Sequence, residues 1–235
     1  MEQNMAYGIK NLGESGRRAI ARAIARDVDE FFDTYVDCLE HDERQARASL
    51  KPGEPLPARR GNRFITGEGK QRANEKTRGA VAGIRANIDK ARQALAADMS
   101  AAPSEEAMRA IQAARALEHP GSELLETLES QYGANNYLAH RAIVELAHRV
   151  GEYGIGREND TEQAAAALDG LECALGDISS DSVYYSSLGV GTLRSLAHSA
   201  CDDFAEGRDG SLFGRGTGGA ESDGVPDGAS FSISW

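Results

Sequence analysis

The densest run of residues able to bind a charged ligand lies between positions 59 and 78. Guanidinium and ammonium groups match the chemistry of phosphate, and seven residues carry them: Arg59, Arg60, Arg63, Lys70, Arg72, Lys76 and Arg78. Phe64 stands among them and offers a ring on which a nucleic-acid base can stack. The run therefore predicts a nucleic-acid-binding segment. A solvated loop tip, or an arm held by acidic residues of the same chain, would give the same pattern.

A second candidate is the pair Arg141 and His148, which are seven positions apart and so share one face of a helix. The spacing Arg-x6-His resembles the Arg-x(4–6)-His motif of HEPN-type ribonucleases, all-helical proteins whose His and Arg handle the scissile phosphate. The resemblance covers eight residues, and Ala142 stands where that family usually has a polar residue. It implies a ribonuclease with Arg141 and His148 as catalytic residues. Two surface residues of a helix are the alternative.

Two further spacings place possible metal ligands one helical turn apart. Glu145-x-x-His148 is half of the set that di-iron bundles use, and no second Glu-x-x-His is present. His198-x-x-Cys201 needs more ligands, such as Cys173, to hold zinc. Because both sets are incomplete, the sequence predicts no metal and no cofactor, and Cys173 and Cys201 are interpreted as small core residues.

The charge of the chain is distributed unevenly along its 235 residues. The net charge is −11, yet the stretch 44–92 holds 13 Lys and Arg against four Asp and Glu. Three cysteines without a Cys-x-x-Cys spacing favour reduced thiols and a cytoplasmic location, or a particle assembled there. No run of 18 apolar residues is present, so we expect no membrane partner. Glycine-rich phosphate loops and Gly-x-Ser-x-Gly elbows are absent, which disfavours nucleotide-driven and hydrolase chemistry.

Two long helices must position the basic residues. Alternating spacings of four and three define a narrow apolar seam within 68–99: Thr77, Val81, Ile84, Ile88, Ala91 and Leu95. A wider apolar stripe marks a helix from 14 to about 49, and prolines 52, 55 and 57 separate the two. The sequence predicts an antiparallel hairpin over 14–99, bent at a basic connector over 50–67. Pairing of each helix with a copy of itself in a dimer is the alternative.

The rest of the chain predicts a small acidic helical bundle over 104–206, which makes the fold all-α. The stretch 181–191 is ambiguous, because Val183, Tyr184 and Tyr185 suit a strand among helical surroundings. Residues 207–235 hold eight glycines and predict a flexible tail. Its last five residues, Phe-Ser-Ile-Ser-Trp, alternate like a strand. They are either a loose end or a tether that adds a strand to a partner's sheet.

These features lead to one main functional prediction and two alternatives. The main prediction is a non-enzymatic structural or assembly protein of a multi-subunit particle, viral or phage-like or a nucleoprotein complex, that self-associates or binds a protein partner. The first alternative is nucleic-acid binding by the connector, and the second is a HEPN-like ribonuclease. The particle rests on the organisation of the chain rather than on a motif.

Overall fold

The computed structural model describes residues 12–155 and 159–208, and within them the chain is all-α, as predicted. Its helices are α1 (Glu14–Ala48), α2 (Gly67–Ser100), α3 (Glu105–Arg115), α4 (Ser122–Leu128), α5 (Tyr137–Arg149), α6 (Asp160–Leu175), α7 (Ser180–Tyr185) and α8 (Val190–Glu206). A π-helical turn, Glu129–Gly133, continues α4. The predicted tail beyond residue 208, including its strand-like end at 231–235, lies outside the described residues.

Helices α1 and α2 form the predicted antiparallel hairpin. The Leu12 amide, just before α1, donates a hydrogen bond of 2.6 Å to Asp98 near the end of α2. At mid-length, Asn87 Nδ2 donates to Asp27 Oδ2 at 3.1 Å. Asp42, near the end of α1, accepts hydrogen bonds from backbone amides just before α2. These contacts fix the register of the two helices along their whole length.

The larger hydrophobic core lies between the hairpin and the last three helices of the described chain, α6 to α8. Phe31 and Tyr35 of α1, Ile84 of α2, Leu171 of α6 and Phe204 of α8 are all fully buried in it. The α2 seam is therefore covered within one chain, and a second copy is not needed to bury it.

A smaller core joins α3, α4, the π-helical turn and α5 around Leu125, Ile143 and Leu146. The segment 104–206, predicted as one bundle, thus contributes α3–α5 to this core and α6–α8 to the larger one. The domain boundaries themselves stay a prediction. No helix in the described part of the chain combines the length and the apolar run needed to cross a bilayer.

The ambiguous stretch 181–191 contains no strand: it is helical up to Tyr185 in α7 and from Val190 in α8, and residues 186–189 connect the two helices. Ser179 and Ser182 form a reciprocal capping box, in which each side chain accepts a hydrogen bond from the other's backbone amide, at 3.1 and 2.9 Å. Val183 points into the larger core, whereas Tyr185 faces solvent. The capping box and the burial of one face outweigh the strand preference of the three β-forming residues.

Candidate functional site

The connector between α1 and α2 is fixed to α7 by one buried asparagine. Asn62 is 5% exposed, and its Nδ2 donates to the carbonyl oxygens of Val183 at 3.0 Å and Leu188 at 2.7 Å. The backbone carbonyl of Asn62 accepts a 2.7 Å hydrogen bond from the Tyr35 hydroxyl of α1. Burial raises the pKa of Tyr35, so this hydroxyl stays protonated and able to donate.

The end of the connector is held by a buried carboxylate. Asp42 is 1% exposed and accepts hydrogen bonds from the amide of Ile65 at 2.5 Å, and from both the amide and the hydroxyl of Thr66. Thr66 in turn caps α2 by accepting from the Gly69 amide at 3.0 Å. A negative charge at a helix N-terminus also suits the helix dipole. Buried hydrogen bonds therefore fix the backbone on both sides of Arg63.

Two of the predicted basic residues meet the tyrosines of α7. Lys70 Nζ lies 4.7 Å from the ring centroid of Tyr184 and 5.0 Å from that of Tyr185. The Arg63 guanidinium lies 5.8 Å from the Tyr184 centroid on the same surface. Arg59 and Arg60 are exposed on the preceding connector. We refer to this surface as the bend surface, formed by Arg59, Arg60, Arg63, Lys70, Tyr184 and Tyr185.

The positive charges of the bend surface differ in how far they are neutralised. Lys70 Nζ lies 2.8 Å from Asp181 Oδ1, and this hydrogen bond is the main cause of the raised pKa of Lys70. Arg59, Arg60 and Arg63 form no ion pair with any acid among the described residues. Within the described part of the chain, three arginine charges of the bend surface are thus left without an acidic partner.

The seven predicted basic residues do not form one patch. Arg72 donates a 3.2 Å hydrogen bond to Gln45 of α1, on a side of α2 different from that of Lys70. Partial desolvation lowers the pKa of His41 on α1, and so do the positive charges of Arg72, Arg44 and Lys76. Arg78 is exposed on α2.

The predicted stacking role of Phe64 is wrong. Phe64 is 8% exposed, and its ring packs 5.2 Å from Tyr35 and 6.3 Å from Tyr184, nearly parallel to the latter. Burial of an apolar ring in the core is more favourable in free energy than its exposure to solvent. Phe64 therefore packs against the Tyr184 ring within the protein and is not available for stacking with a base.

The two residues of the ribonuclease resemblance lie on the exposed surface of α5. Arg141 pairs with Glu162 of α6 at 3.5 Å, and the His148 ring lies 5.4 Å from that of Tyr153. Neither residue lines the surface depressions at the α1–α2 bend and along the end of α1. The catalytic assignment stays a prediction.

Residues of the two possible metal-ligand spacings have other partners in the structure. Glu145 pairs with Arg115 at 3.3 Å, and His198 Nε2 lies 2.9 Å from Asp29 Oδ1. Cys201 is buried, and burial raises its pKa to about 12. Cys173 is exposed, so its interpretation as a core residue is wrong. No three potential ligands among the described His, Cys, Asp and Glu residues cluster closely enough to hold a metal ion.

The aromatic part of the bend surface was not found by sequence reasoning. Tyr184, Tyr185 and Asp181 are more than 110 positions away from the connector, and the segments meet only in the folded chain, through the hydrogen bonds of Asn62 and the contacts of Arg63 and Phe64 with Tyr184. The tyrosine pair was visible only as an ambiguous strand signal. Comparison of the chain with protein-family models, curated proteins and solved structures gives no match.

Proposed function

We propose that this chain is a non-enzymatic, helical nucleic-acid-binding protein that contacts phosphates through the bend surface. One observation carries the proposal: three arginines without an acidic partner among the described residues stand on a connector that the buried Asn62 and Asp42 side chains fix, and one of them, Arg63, lies beside Tyr184. The proposal places the protein in the cytoplasm, or in a particle assembled there, where it would meet nucleic acid.

The chemistry of arginine favours a phosphate over a lone counter-ion. Its planar guanidinium donates two parallel hydrogen bonds to phosphate oxygens, and its charge persists at every relevant pH. The overall net charge of −11 does not oppose local binding, since charges farther away than about 10 Å are largely screened at 0.1 M salt. A fixed connector also loses less conformational entropy on binding than a loose one.

The proposal is tested by fluorescence anisotropy with a labelled oligonucleotide at 50 to 200 mM salt. We expect the affinity to fall steeply with salt, because bound cations displace counter-ions from the phosphates. Changing Arg59, Arg60 and Arg63 together to Ala should weaken binding for every sequence tested and reduce the salt slope by about 0.7 to 0.9 per lost phosphate contact.

A matched control removes the same number of positive charges from other faces. Suitable residues are ion-paired arginines on α1 and α3, namely Arg18, Arg109 and Arg115. This control variant should bind nearly as well as wild type. Absence of binding at 50 mM salt, or an equal loss in both triple variants, would contradict the proposal.

A second proposal keeps the assembly role, with the α3–α5 segment as the association surface. Five of the eight large apolar side chains that are exposed in the described chain belong to residues 105–155: Met108, Leu117, Leu124, Leu138 and Tyr153. A contiguous patch of exposed apolar side chains is typical of protein-binding surfaces, and we propose that these five residues form such a patch.

The assembly proposal is tested by light scattering over a range of protein concentrations. We expect a mass above that of one 25.1 kDa chain, which falls when Met108 and Leu124 are changed to Lys. Changing the exposed residues Arg85 and Gln93 to Lys is the control. A monomeric mass at every concentration would count against self-association.

A further inference from the structure

The most exposed aromatic ring of the bend surface is that of Tyr185. It is 65% exposed at the end of α7, whereas its neighbour Tyr184 is only partly exposed. The two rings lie 4.9 Å apart at 84°, so they present different faces to their surroundings. A large ring left in water at the edge of a basic surface is suited to stacking with another flat group.

Tyr184 acts as the support on which this arrangement rests. Phe64 packs nearly parallel to its ring, and the cations of Arg63 and Lys70 approach the same ring. With these neighbours, Tyr184 has little ring surface to offer a ligand. It holds Lys70 and Tyr185 in place relative to the arginines of the connector.

We propose that Tyr185 and Lys70 make the bend surface selective for single-stranded nucleic acid: an unpaired base stacks on Tyr185, and Lys70 leaves Asp181 to bind the adjacent phosphate. This inference rests on the proposed function and names its ligand class. Stacking requires an unpaired base, because a duplex must first unstack and open one at a cost in free energy.

Asp181 competes with the ligand in this arrangement. The Asp181 carboxylate oxygen Oδ1 lies 2.8 Å from Lys70 Nζ. In the proposed complex, a phosphate oxygen replaces this carboxylate oxygen beside Lys70. Lys70 also lies 3.5 Å from the Tyr185 hydroxyl, so the exchange of partners takes place beside the stacking ring. Both members of the ion pair are accessible to solvent, with 30% of the Lys70 and 54% of the Asp181 side chain exposed.

The test compares three labelled 12-mers by anisotropy on the full chain: a single strand, its duplex, and a single strand with abasic positions and the same phosphates. We expect wild type to prefer the normal single strand. Tyr185→Leu should weaken its binding roughly 5- to 150-fold, the range found for loss of one stacked base. The same change should leave the affinity for the abasic strand unchanged.

Two further variants complete the experiment. Tyr153→Leu removes a tyrosine of similar exposure from the α5 end and should have no effect. Asp181→Asn frees Lys70 and should tighten binding of all three ligands and steepen the salt dependence by about one phosphate contact.

The outcomes separate this inference from the proposed function. Equal affinity for the three ligands, with no effect of Tyr185→Leu, would overturn the stacking inference and leave phosphate binding standing. Failure of wild type to bind any of the three at low salt would overturn both. Unchanged or weaker binding by Asp181→Asn would overturn the exchange at Lys70.

Discussion

At the scale of single residues, the polar side chains in and around the connector differ in burial. Asn62 and Asp42 are buried and satisfy backbone groups, whereas Arg59 and Arg60 face solvent. Buried polar groups cost free energy unless they are paired, so the buried pair specifies one path for the chain. The exposed arginines add little to stability, and the proposed function assigns them to ligand binding instead.

Replacing Asn62 with Leu should destabilise the protein. The change keeps a similar volume but removes the side-chain hydrogen bonds to the carbonyls of Leu188 and Val183, of which Val183 keeps the one from the Ser186 amide. We expect a loss of about 2–4 kcal/mol in the free energy of unfolding, measured by urea denaturation. Gln93→Leu, on an exposed position of α2, should stay within about 0.5 kcal/mol of wild type. Equal stability of the two variants would show that Asn62 is not a structural link.

Replacing His148 with Ala tests the ribonuclease resemblance. Because Arg141 pairs with Glu162 and His148 lies against Tyr153, we expect labelled RNA to stay intact with both wild type and His148→Ala. The measurement is a time course on a denaturing gel. Cleavage by wild type that is lost in the variant would establish the enzyme and contradict a purely binding role.

At the scale of elements, close contacts determine how the helices meet. A Cβ on Gly69 would lie 2.4 Å from Asp42 Oδ1, and one on Gly83 would lie 2.5 Å from Asp27 Oδ2. Glycine therefore lets a carboxylate of α1 approach the backbone of α2 at two levels of the hairpin. The register of the helices depends on these small residues as well as on the apolar seam.

Two glycine substitutions on α2 should have opposite effects. Gly69→Ala must displace Asp42 and weaken its hydrogen bonds, so we expect a loss of about 1–3 kcal/mol. Gly79→Ala meets no atom within 4 Å and should stabilise the protein by about 0.5–1 kcal/mol, the helix preference of Ala over Gly. Urea denaturation of both variants checks the prediction. A gain from Gly69→Ala would mean that Asp42 has room to move.

The contact between α1 and α8 should make stability depend on pH. Partial burial on its own would raise the pKa of Asp29, but hydrogen bonds from Arg194 and His198 outweigh it and lower the pKa below the ordinary value of 3.8. A lowered pKa in the folded state contributes stability above about pH 4, which is lost as the pH falls through the folded value.

We therefore expect Asp29→Asn to lower the melting temperature at pH 7, and the difference from wild type to shrink towards pH 3. The effect is small because the Asp29 side chain is 42% exposed. The exposed Asp177→Asn variant is the control. A difference that is the same at both pH values would contradict the assigned role of the Asp29 carboxylate.

The hairpin was predictable because its signals are local. Prolines at 52, 55 and 57 end α1, and the seam of α2 defines its buried face. The periodicity does not identify which element covers that face, so the packing of α6 and α8 on the hairpin was missed. The same limit applies to the site: the basic residues were found from composition, but Tyr185 meets Lys70 only through tertiary contacts.

At the scale of the whole molecule, two hydrophobic cores of unequal size share one chain. The larger core holds the long helices, and the smaller one holds α3 to α5. Polar contacts link them: Asn136 Nδ2 donates to the Ala101 carbonyl at 2.9 Å, and Asn159 Nδ2 lies 3.4 Å from the Gly133 carbonyl. A segment with fewer buried apolar contacts opens at lower free energy than the main core.

Hydrogen exchange should therefore be slower by about tenfold or more in the middle of α1 than in α3–α5, which corresponds to about 1.4 kcal/mol in opening free energy. Ile143→Ala removes a fully buried side chain of the smaller core, at a cost of about 2–5 kcal/mol. It should speed exchange in α3–α5 and leave α1 unchanged, as measured by mass spectrometry of peptides. If hydrogen exchange in α1 accelerates by the same factor, the two cores open as one cooperative unit. In that case the smaller core cannot rearrange on a partner while the hairpin keeps the bend surface intact.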